Sequence, residues 1–263
     1  MTQARKRFGQ HFLHDPGVIE RIARAVNPGP EDHLLEIGPG RGALTHLLLR
    51  EPYASFDAVE IDRDLAQNLR PAIAVARAAT LHECDALNFD FAELAKVRGG
   101  RLRVIGNLPY NISTPLLFRL LGAAPAILDL HVMLQREVVA RMAAAPGTSA
   151  YGRLTVMLAP WVNVEQLFDI GPGAFKPAPR VWSAVARLTV RPEPAFAVAP
   201  HFAQVVTTAF SQRRKTLRNA LRSLLEARDI EACGVDPQVR AETLAPEVFN
   251  RLALRLAAGS VAT

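Results

Sequence analysis

Cysteine is almost missing from this chain of 263 residues: Cys84 and Cys233 stand far apart. Two lone thiols support neither a disulfide framework nor a zinc cluster, so a reducing, cytoplasmic setting is expected. Long apolar runs are missing too. Leu47-Leu48-Leu49 is flanked by His46 and Arg50, far short of the roughly 18 residues of a membrane helix, so no membrane partner is expected. Arg5, Lys6 and Arg7 are followed by no apolar stretch, which argues against a secretory signal. Motif-like residues from Phe8 onward leave no removable leader in the expected organisation. Aromatics are scarce at 6%, and glycine and proline fall short of fibrous or disordered chains. What is present is apolar substance, 49% of residues, enough for one large domain or a medium one with a small appendage. Basic residues outnumber acidic ones 31 to 25, for a net charge of +6. That balance fits a nucleic-acid or other anionic partner, or charge carried for solubility.

Residues 15–26 read as a helix capped by Asp15, with Pro16 in its first turn and Ile19, Ile22, Ala23 and Val26 on one face. After the break at Asn27-Pro28-Gly29-Pro30, short apolar runs at 33–37, 55–60, 80–83, 102–106 and 127–134 read as buried strands. Helical patterns near 42–50, 62–77, 90–97, 114–122 and 136–144 fall between or after them. This alternation predicts an α/β fold with a parallel sheet of the Rossmann-like kind. The strand-like stretches 162–170 and 181–190 are joined by a Pro-rich segment that cannot be helical, and they predict an antiparallel edge. Pro192, Pro194 and Pro200 mark a linker. The expected organisation is a nucleotide-binding domain over 1–195 and a small all-α domain over 196–263.

The segment Leu34-Leu35-Glu36-Ile37-Gly38-Pro39-Gly40-Arg41-Gly42 closes the first strand and opens a helix. Glycines there let the backbone approach a ligand. Ligands of doubly wound sheets bind beyond the carboxyl ends of the strands, and those ends carry Gly38 and Gly40, then Glu60, Asp85 and Asn107. Gly38-x-Gly40-x-x-Ala43 with Glu60 about twenty residues on also satisfies the loose dinucleotide fingerprint. A nicotinamide-dependent oxidoreductase is therefore the reading from a different class. The strand ends taken together favour S-adenosylmethionine. Glu60 suits the ribose hydroxyls, Asp85 the adenine amino group, and Asn107 a place beside the methyl donor. Glu36 suits a cationic amino-acid moiety better than a pyrophosphate, which prefers bare backbone N–H groups.

Asn107-Leu108-Pro109-Tyr110 follows the fourth strand directly. An exocyclic amino nitrogen is a poor nucleophile, because its lone pair is delocalised into the ring. Two acceptors on its two N–H groups, the Asn107 side-chain oxygen and the Leu108 carbonyl, would pull it toward tetrahedral geometry. Pro109 fixes φ and brings no competing donor. Tyr110 supplies a flat face for the base. Transfer then depends on alignment and electrostatics rather than on a strong base. A base in a duplex must first be flipped out or lie in a loop, and Phe175 is the candidate aromatic for its second face, or else a core anchor for its own segment.

Residues 211–223 carry Arg213, Arg214, Lys215, Arg218 and Arg222 and no acid. Read as a helix, they place Arg214, Arg218 and Arg222 on one face and Leu217, Leu221 and Leu224 on another. The basic face would meet phosphates; a solvated surface helix is the plainer alternative. The histidines other than His11 show no metal-ligand spacing, and no metal is expected.

These residues also resemble a known family. Arg7-Phe8-Gly9-Gln10-His11-Phe12-Leu13, Glu36-Ile37-Gly38-Pro39-Gly40, Val59-Glu60-Ile61-Asp62 and Gly106-Asn107-Leu108-Pro109-Tyr110 are similar to motifs of the ribosomal RNA adenine dimethyltransferases. So are Phe175-Lys176-Pro177-Ala178-Pro179-Arg180-Val181-Trp182-Ser183 and Phe210-Ser211-Gln212-Arg213-Arg214-Lys215-Thr216-Leu217-Arg218. Within the family the chain most resembles the bacterial small-subunit branch, and the likeness spans nearly its whole length. It implies N6,N6-dimethylation of two adjacent adenosines in the 3′-terminal hairpin of 16S ribosomal RNA, within the 30S subunit or its precursor, by a monomer. It implies cofactor contacts at His11, Leu13, Gly38, Gly40, Glu60, Asp85 and Asn107, with the opening segment lying over the cofactor. Family members often carry Asn where this chain has His11. Relatives that methylate 23S ribosomal RNA more often have Ile where this chain has Leu108, and they are the nearest alternative.

Overall fold

The computed structural model describes residues 11–109 and 112–260. In chain order its elements are β1 (Phe12–Leu13), α1 (Pro16–Val26), β2 (His33–Ile37), α2 (Thr45–Leu48), β3 (Ser55–Val59), α3 (Arg63–Val75), β4 (Ala79–His82), α4 (Phe91–Arg98), β5 (Leu102–Asn107) and α5 (Ser113–Gly122). They continue with β6 (Ile127–Gln135), α6 (Arg136–Met142), α7 (Arg153–Leu158), β7 (Val162–Ile170), β8 (Phe175–Lys176), β9 (Ser183–Val190), α8 (Phe202–Ser211), α9 (Leu217–Leu221), α10 (Ala227–Ala232) and α11 (Pro246–Ser260). No helix among the described residues is long and apolar enough to cross a membrane.

The chain divides into two compact units, one of Met1–Val139 with Val164–Val190 and the other of Ala140–Asn163 with Arg191–Thr263. The first is built on a seven-stranded sheet in the order β4-β3-β2-β5-β6-β9-β7. β4, β3, β2, β5 and β6 run parallel, and β9 is antiparallel to β6. That is the α/β sheet with an antiparallel edge that the strand–helix alternation predicts. Leu34, Leu35, Phe56, Val104 and Ile105 are fully buried, as the continuous apolar runs of a sheet covered on both faces require. The exposed positions along β7 mark it as the edge. Local chemistry sets the boundaries of α1: Asp15 accepts from the Val18 N–H at 3.0 Å, and Asn27 ends the helix in the left-handed region at φ 47°. Chain order jumps from β4 back to β5 beside β2, so the switch point lies between β2 and β5.

One pairing has no counterpart in the sequence reading. The Pro-rich segment forms a 3₁₀ turn and then β8, which pairs antiparallel with β1. The His14 N–H adds a bond to the Ala174 carbonyl at 2.9 Å. Leu13 and Phe175 thereby enter one buried cluster with Ile22, Met133 and Val185.

The second unit takes in Ala140–Asn163 besides the C-terminal residues, where the sequence reading starts its helical domain at 196. Packing is the reason. Tyr151 and Val156 share a buried cluster with Phe202, Val205, Leu217, Leu221 and Phe249, and the Tyr151 hydroxyl donates to the Leu244 carbonyl at 2.7 Å. The expected basic helix over 211–223 is also different in form. α8 ends at Ser211, residues 212–216 form a turn, and α9 restarts at Leu217. The Leu217 and Arg218 N–H groups are held by the Val239 and Pro237 carbonyls, and this tertiary anchorage interrupts the helix.

Candidate active site

Register assembles the site. Ile37 lies opposite both Val59 and Gly106, and Val59 lies opposite His82. These four residues form one row across the sheet, and the next residue of each strand projects from the same carboxyl edge. The ladder extends one step further: the Gly38 N–H donates to the Val59 carbonyl at 2.9 Å and the Glu60 N–H to the His82 carbonyl at 3.0 Å. Gly38 and Gly40 then turn the chain at φ 68° and 59°. Gly40 is needed twice over, because a side chain there would also meet the Phe12 ring at 3.2 Å.

The result is a cleft that is partly open to solvent. His11, Gly38, Gly40, Glu60, Asp85, Asn107, Leu108 and Pro109 line it. Leu13 is instead buried against a smaller adjoining cavity that shares Phe12, Gly38, Gly40 and Asn107 with the cleft and adds Glu36, Arg41 and His131. Tyr110 lies outside the described residues. Phe175 is 3% exposed within the Leu13 cluster and does not line the cleft. The pairing of β8 with β1 turns its ring inward, so the base-stacking role expected for it requires the ring to leave that cluster.

Glu60 is held by backbone on both oxygens: the Gly40 N–H at 3.1 Å on one and the Asp62 N–H at 2.9 Å on the other. Burial raises its carboxyl above the ordinary range, against the pull of those two donors. Asp85 accepts from the Leu87 N–H at 2.9 Å, capping a 3₁₀ turn at the cleft wall. Val59, Ile61, Leu87 and Ile112 supply apolar walls.

Among the described residues the cleft's basic lining is a single histidine, with no Lys or Arg lining it beside Glu60 and Asp85. The Gly40 N–H, which a pyrophosphate would use, is already given to Glu60. Two carboxylates, apolar walls and committed loop donors fit a nucleoside carrying positive charge and fit a dinucleotide poorly.

Asn107 is oriented by chemistry that permits one amide setting. Its Nδ2 donates to the His11 backbone carbonyl at 3.0 Å, and a carbonyl can only accept. Oδ1 is therefore left as the outward acceptor. The Leu108 N–H is tied to the Met133 carbonyl at 3.2 Å, and no described residue donates to the Leu108 carbonyl. The two acceptors expected at the end of β5 are both available. His11 is braced in turn, since its Nδ1–H donates to the Pro177 carbonyl at 2.8 Å.

Sequence reasoning missed Phe12, whose ring lies against Gly40 and 4.4 Å from the Arg41 guanidinium; its place between His11 and Leu13 was the available signal. It also missed His131, buried on β6 with neither ring nitrogen hydrogen-bonded and Nδ1 3.6 Å from Asp129. A lone histidine in an apolar run carries no such signal. Glu36 is buried, accepts from Thr45 Oγ1 at 2.7 Å, and is pushed up to about 7 by burial, with Glu60 adding to the rise.

The predicted RNA contacts separate into two kinds. Arg213 is internal bracing for the second unit: its Nε lies 2.8 Å from Glu242, and its guanidinium also donates to the Ser149 carbonyl. Arg214, Lys215, Arg218 and Arg222 are exposed, with no carboxylate partner among the described residues.

Comparison with known proteins adds lineage to this geometry. The family described as Ribosomal RNA adenine dimethylase matches residues 1–258. A protein of Pseudomonas aeruginosa named Ribosomal RNA small subunit methyltransferase A is 53% identical, the match covering 97% of this chain and 95% of that protein. One of the same name from Nitrosococcus oceani is 53% identical, covering 95% of each. Among solved structures, a dimethyladenosine transferase from Plasmodium falciparum superposes with a TM-score of 0.78 at 23% identity, covering 95% of this chain and 98% of that one. The 23S rRNA methyltransferase ErmE superposes with a TM-score of 0.71 at 29% identity, covering 94% and 99%.

Proposed function

The chain belongs to the ribosomal RNA adenine dimethylase family, and from that premise we propose that it dimethylates N6 of two adjacent adenosines in the 3′-terminal hairpin of 16S ribosomal RNA, acting as a cytoplasmic monomer on the small subunit or its precursor. The observation that carries the chemistry is the Asn107 amide, whose Nδ2 is committed to the His11 carbonyl and whose Oδ1 is therefore an acceptor beside the Leu108 carbonyl. The choice of subunit is supported by 53% identity to proteins named for the small subunit, against 29% to the 23S enzyme.

When bound, S-adenosylmethionine supplies an electrophilic methyl group on a sulfonium. Glu60 would receive its ribose hydroxyls on the lone pairs that Gly40 and Asp62 leave open. Asp85 would accept from its adenine amino group. His11, Leu13, Gly38 and Gly40 would enclose the remainder, and Glu36 would offer a negative or proton-sharing partner to the amino-acid end. The target adenine would place one amino N–H on Asn107 Oδ1 and the other on the Leu108 carbonyl, which would free its lone pair for the transfer. Pro109 holds the turn: its carbonyl accepts from the Ile112 N–H at 3.1 Å. Tyr110 is the stacking face, and Phe175 serves first as the anchor of its own segment. Arg214, Lys215, Arg218 and Arg222 position RNA through phosphates without reading sequence.

The test is transfer of labelled methyl groups to purified small subunits that lack them. Two dimethylated adenosines in the small-subunit RNA are expected. Label confined to large-subunit RNA would move the target, and tight NAD binding without S-adenosylmethionine binding would remove the reading.

A further inference from the structure

Trp182 is the one aromatic among the large apolar side chains left exposed in the described residues, at 50% exposure. It stands immediately before β9, and β9 begins where β6 ends: Ser183 lies opposite Gln135, and Val185 opposite Met133, the strand partner of Asn107. Trp182 therefore emerges on the same carboxyl edge as Asn107. Two strand spacings of about 4.8 Å and three residues of about 3.3 Å separate their Cα atoms by roughly 14 Å. A nucleotide next to the target, or next but one, reaches that far.

Its surroundings are basic. The Arg136 guanidinium lies 5.7 Å from the ring centroid, and the Arg136 N–H donates to the Trp182 carbonyl at 2.9 Å. Lys176, Arg180 and Val181, close by in the chain, are all exposed. Asp169 lies 3.5 Å from Arg136 and the exposed Glu137 follows Arg136 in the chain, two acids against the three cations Arg136, Lys176 and Arg180. The indole edge rests over Gly171, where an added Cβ would lie 3.8 Å from the ring. An exposed indole of fixed position among cations is the arrangement that binds unpaired bases, by stacking and by attraction of the backbone. A protein-docking patch would instead show a wider apolar area with fewer charges.

We propose that Trp182, with Arg136 and Arg180 beside it, is a stacking platform for an unpaired RNA base flanking the adenosine held at Asn107. The platform rests on the RNA-methylating reading of the same edge. It makes this residue part of how the substrate is placed, not part of the transfer itself.

The chain has two tryptophans, so the full-length Trp161→Phe variant reports on Trp182 alone. The probe is a hairpin RNA whose loop carries two adjacent unpaired adenosines, together with copies abasic at single flanking positions. Saturable quenching of Trp182 emission is expected, lost with one abasic copy and kept with the others. Trp182→Ala should weaken RNA binding roughly 5- to 150-fold, the range for one stacked base, with S-adenosylmethionine affinity unchanged by calorimetry and Trp182→Phe retaining most of the RNA binding. Absence of quenching together with unchanged RNA affinity in Trp182→Ala overturns the platform while leaving the methyltransferase reading intact. Failure of the parent chain to methylate purified small subunits overturns both. Loss of binding to whole subunits with naked RNA affinity unchanged overturns the platform in favour of a protein contact.

Discussion

The strand-end cleft and the basic turn of the C-terminal unit are built in opposite ways. At the cleft and the cavity beside it the carboxylates and the amide are oriented by named partners: Glu60 is held by two backbone donors, the Asn107 Nδ2 by the His11 carbonyl, Glu36 by Thr45. Around residues 212–222 the side chains of Arg214, Lys215, Arg218 and Arg222 stand in solvent without carboxylate partners among the described residues. A site that must align an amino lone pair needs fixed, partly desolvated acceptors, because small displacements cost rate steeply. A site that holds a flexible polyanion needs charge and tolerates movement. Substitutions in the cleft should therefore act abruptly, and those in the turn gradually and in a salt-dependent way.

The largest effect is expected from Asn107→Ala. Turnover should fall about 10²- to 10³-fold, the usual consequence of deleting one oriented polar group at a reacting centre. RNA affinity by filter binding should stay the same. Turnover near the parent level would mean that the amide orientation is not what activates the amine.

Next is the pH dependence of folding through Glu36. Its native value of about 7 lies above the ordinary 4.5. Below about pH 4.5 both folded and unfolded states hold the proton, and nothing is lost. From there to about pH 7 only the native state holds it, so stability falls as pH rises. Above that the loss is constant at about 3 kcal/mol. Glu36→Gln should be more stable than the parent at about pH 8 and should lack that decline in urea titrations of the ligand-free protein. An undiminished decline in the variant would assign it to another group.

Arg214→Ala combined with Arg218→Ala should weaken RNA binding progressively. The slope of log affinity against log salt should become shallower by about 0.7 to 0.9 for each phosphate that is no longer neutralised. An unchanged slope would make the turn an ordinary solvated surface.

The smallest effect sharpens the contrast within the turn itself. Arg213→Ala should cost up to about 1 kcal/mol in thermal or denaturant stability, since its ion pair with Glu242 is half exposed, and should leave the salt slope near the parent value. A flattening of the slope equal to that of Arg214→Ala would place Arg213 among the residues that neutralise phosphates.

Much of this was legible in the chain. Asp15, Pro16 and Asn27 mark the ends of α1 because caps and breakers act within a few residues. The buried strands announce themselves as apolar runs, and the sheet class follows from their alternation with helices. Gly38, Glu60, Asp85 and Asn107 could be grouped beforehand, because a parallel sheet brings successive strand ends to one edge. The β1–β8 pair could not be read: two-residue strands carry no periodicity, and their partners are remote in sequence. The same remoteness hid the membership of Ala140–Asn163 in the second unit, which depends on Tyr151 reaching Leu244. It also hid the break in the basic segment, where Val239 and Pro237 capture the start of α9.

Residue chemistry along the chain specifies the kinds of groups at each strand end, and with them the class of ligand and reaction. Tertiary structure alone decides how those groups are set. It turns the Asn107 amide by way of the His11 carbonyl, folds Phe175 into the core beside Leu13, withdraws Arg213 into an ion pair, and leaves Trp182 exposed on the carboxyl edge of the sheet. The division has a physical cause. Residue type and spacing act locally, whereas the orientation of a side chain depends on partners that only folding brings within hydrogen-bond or van der Waals reach.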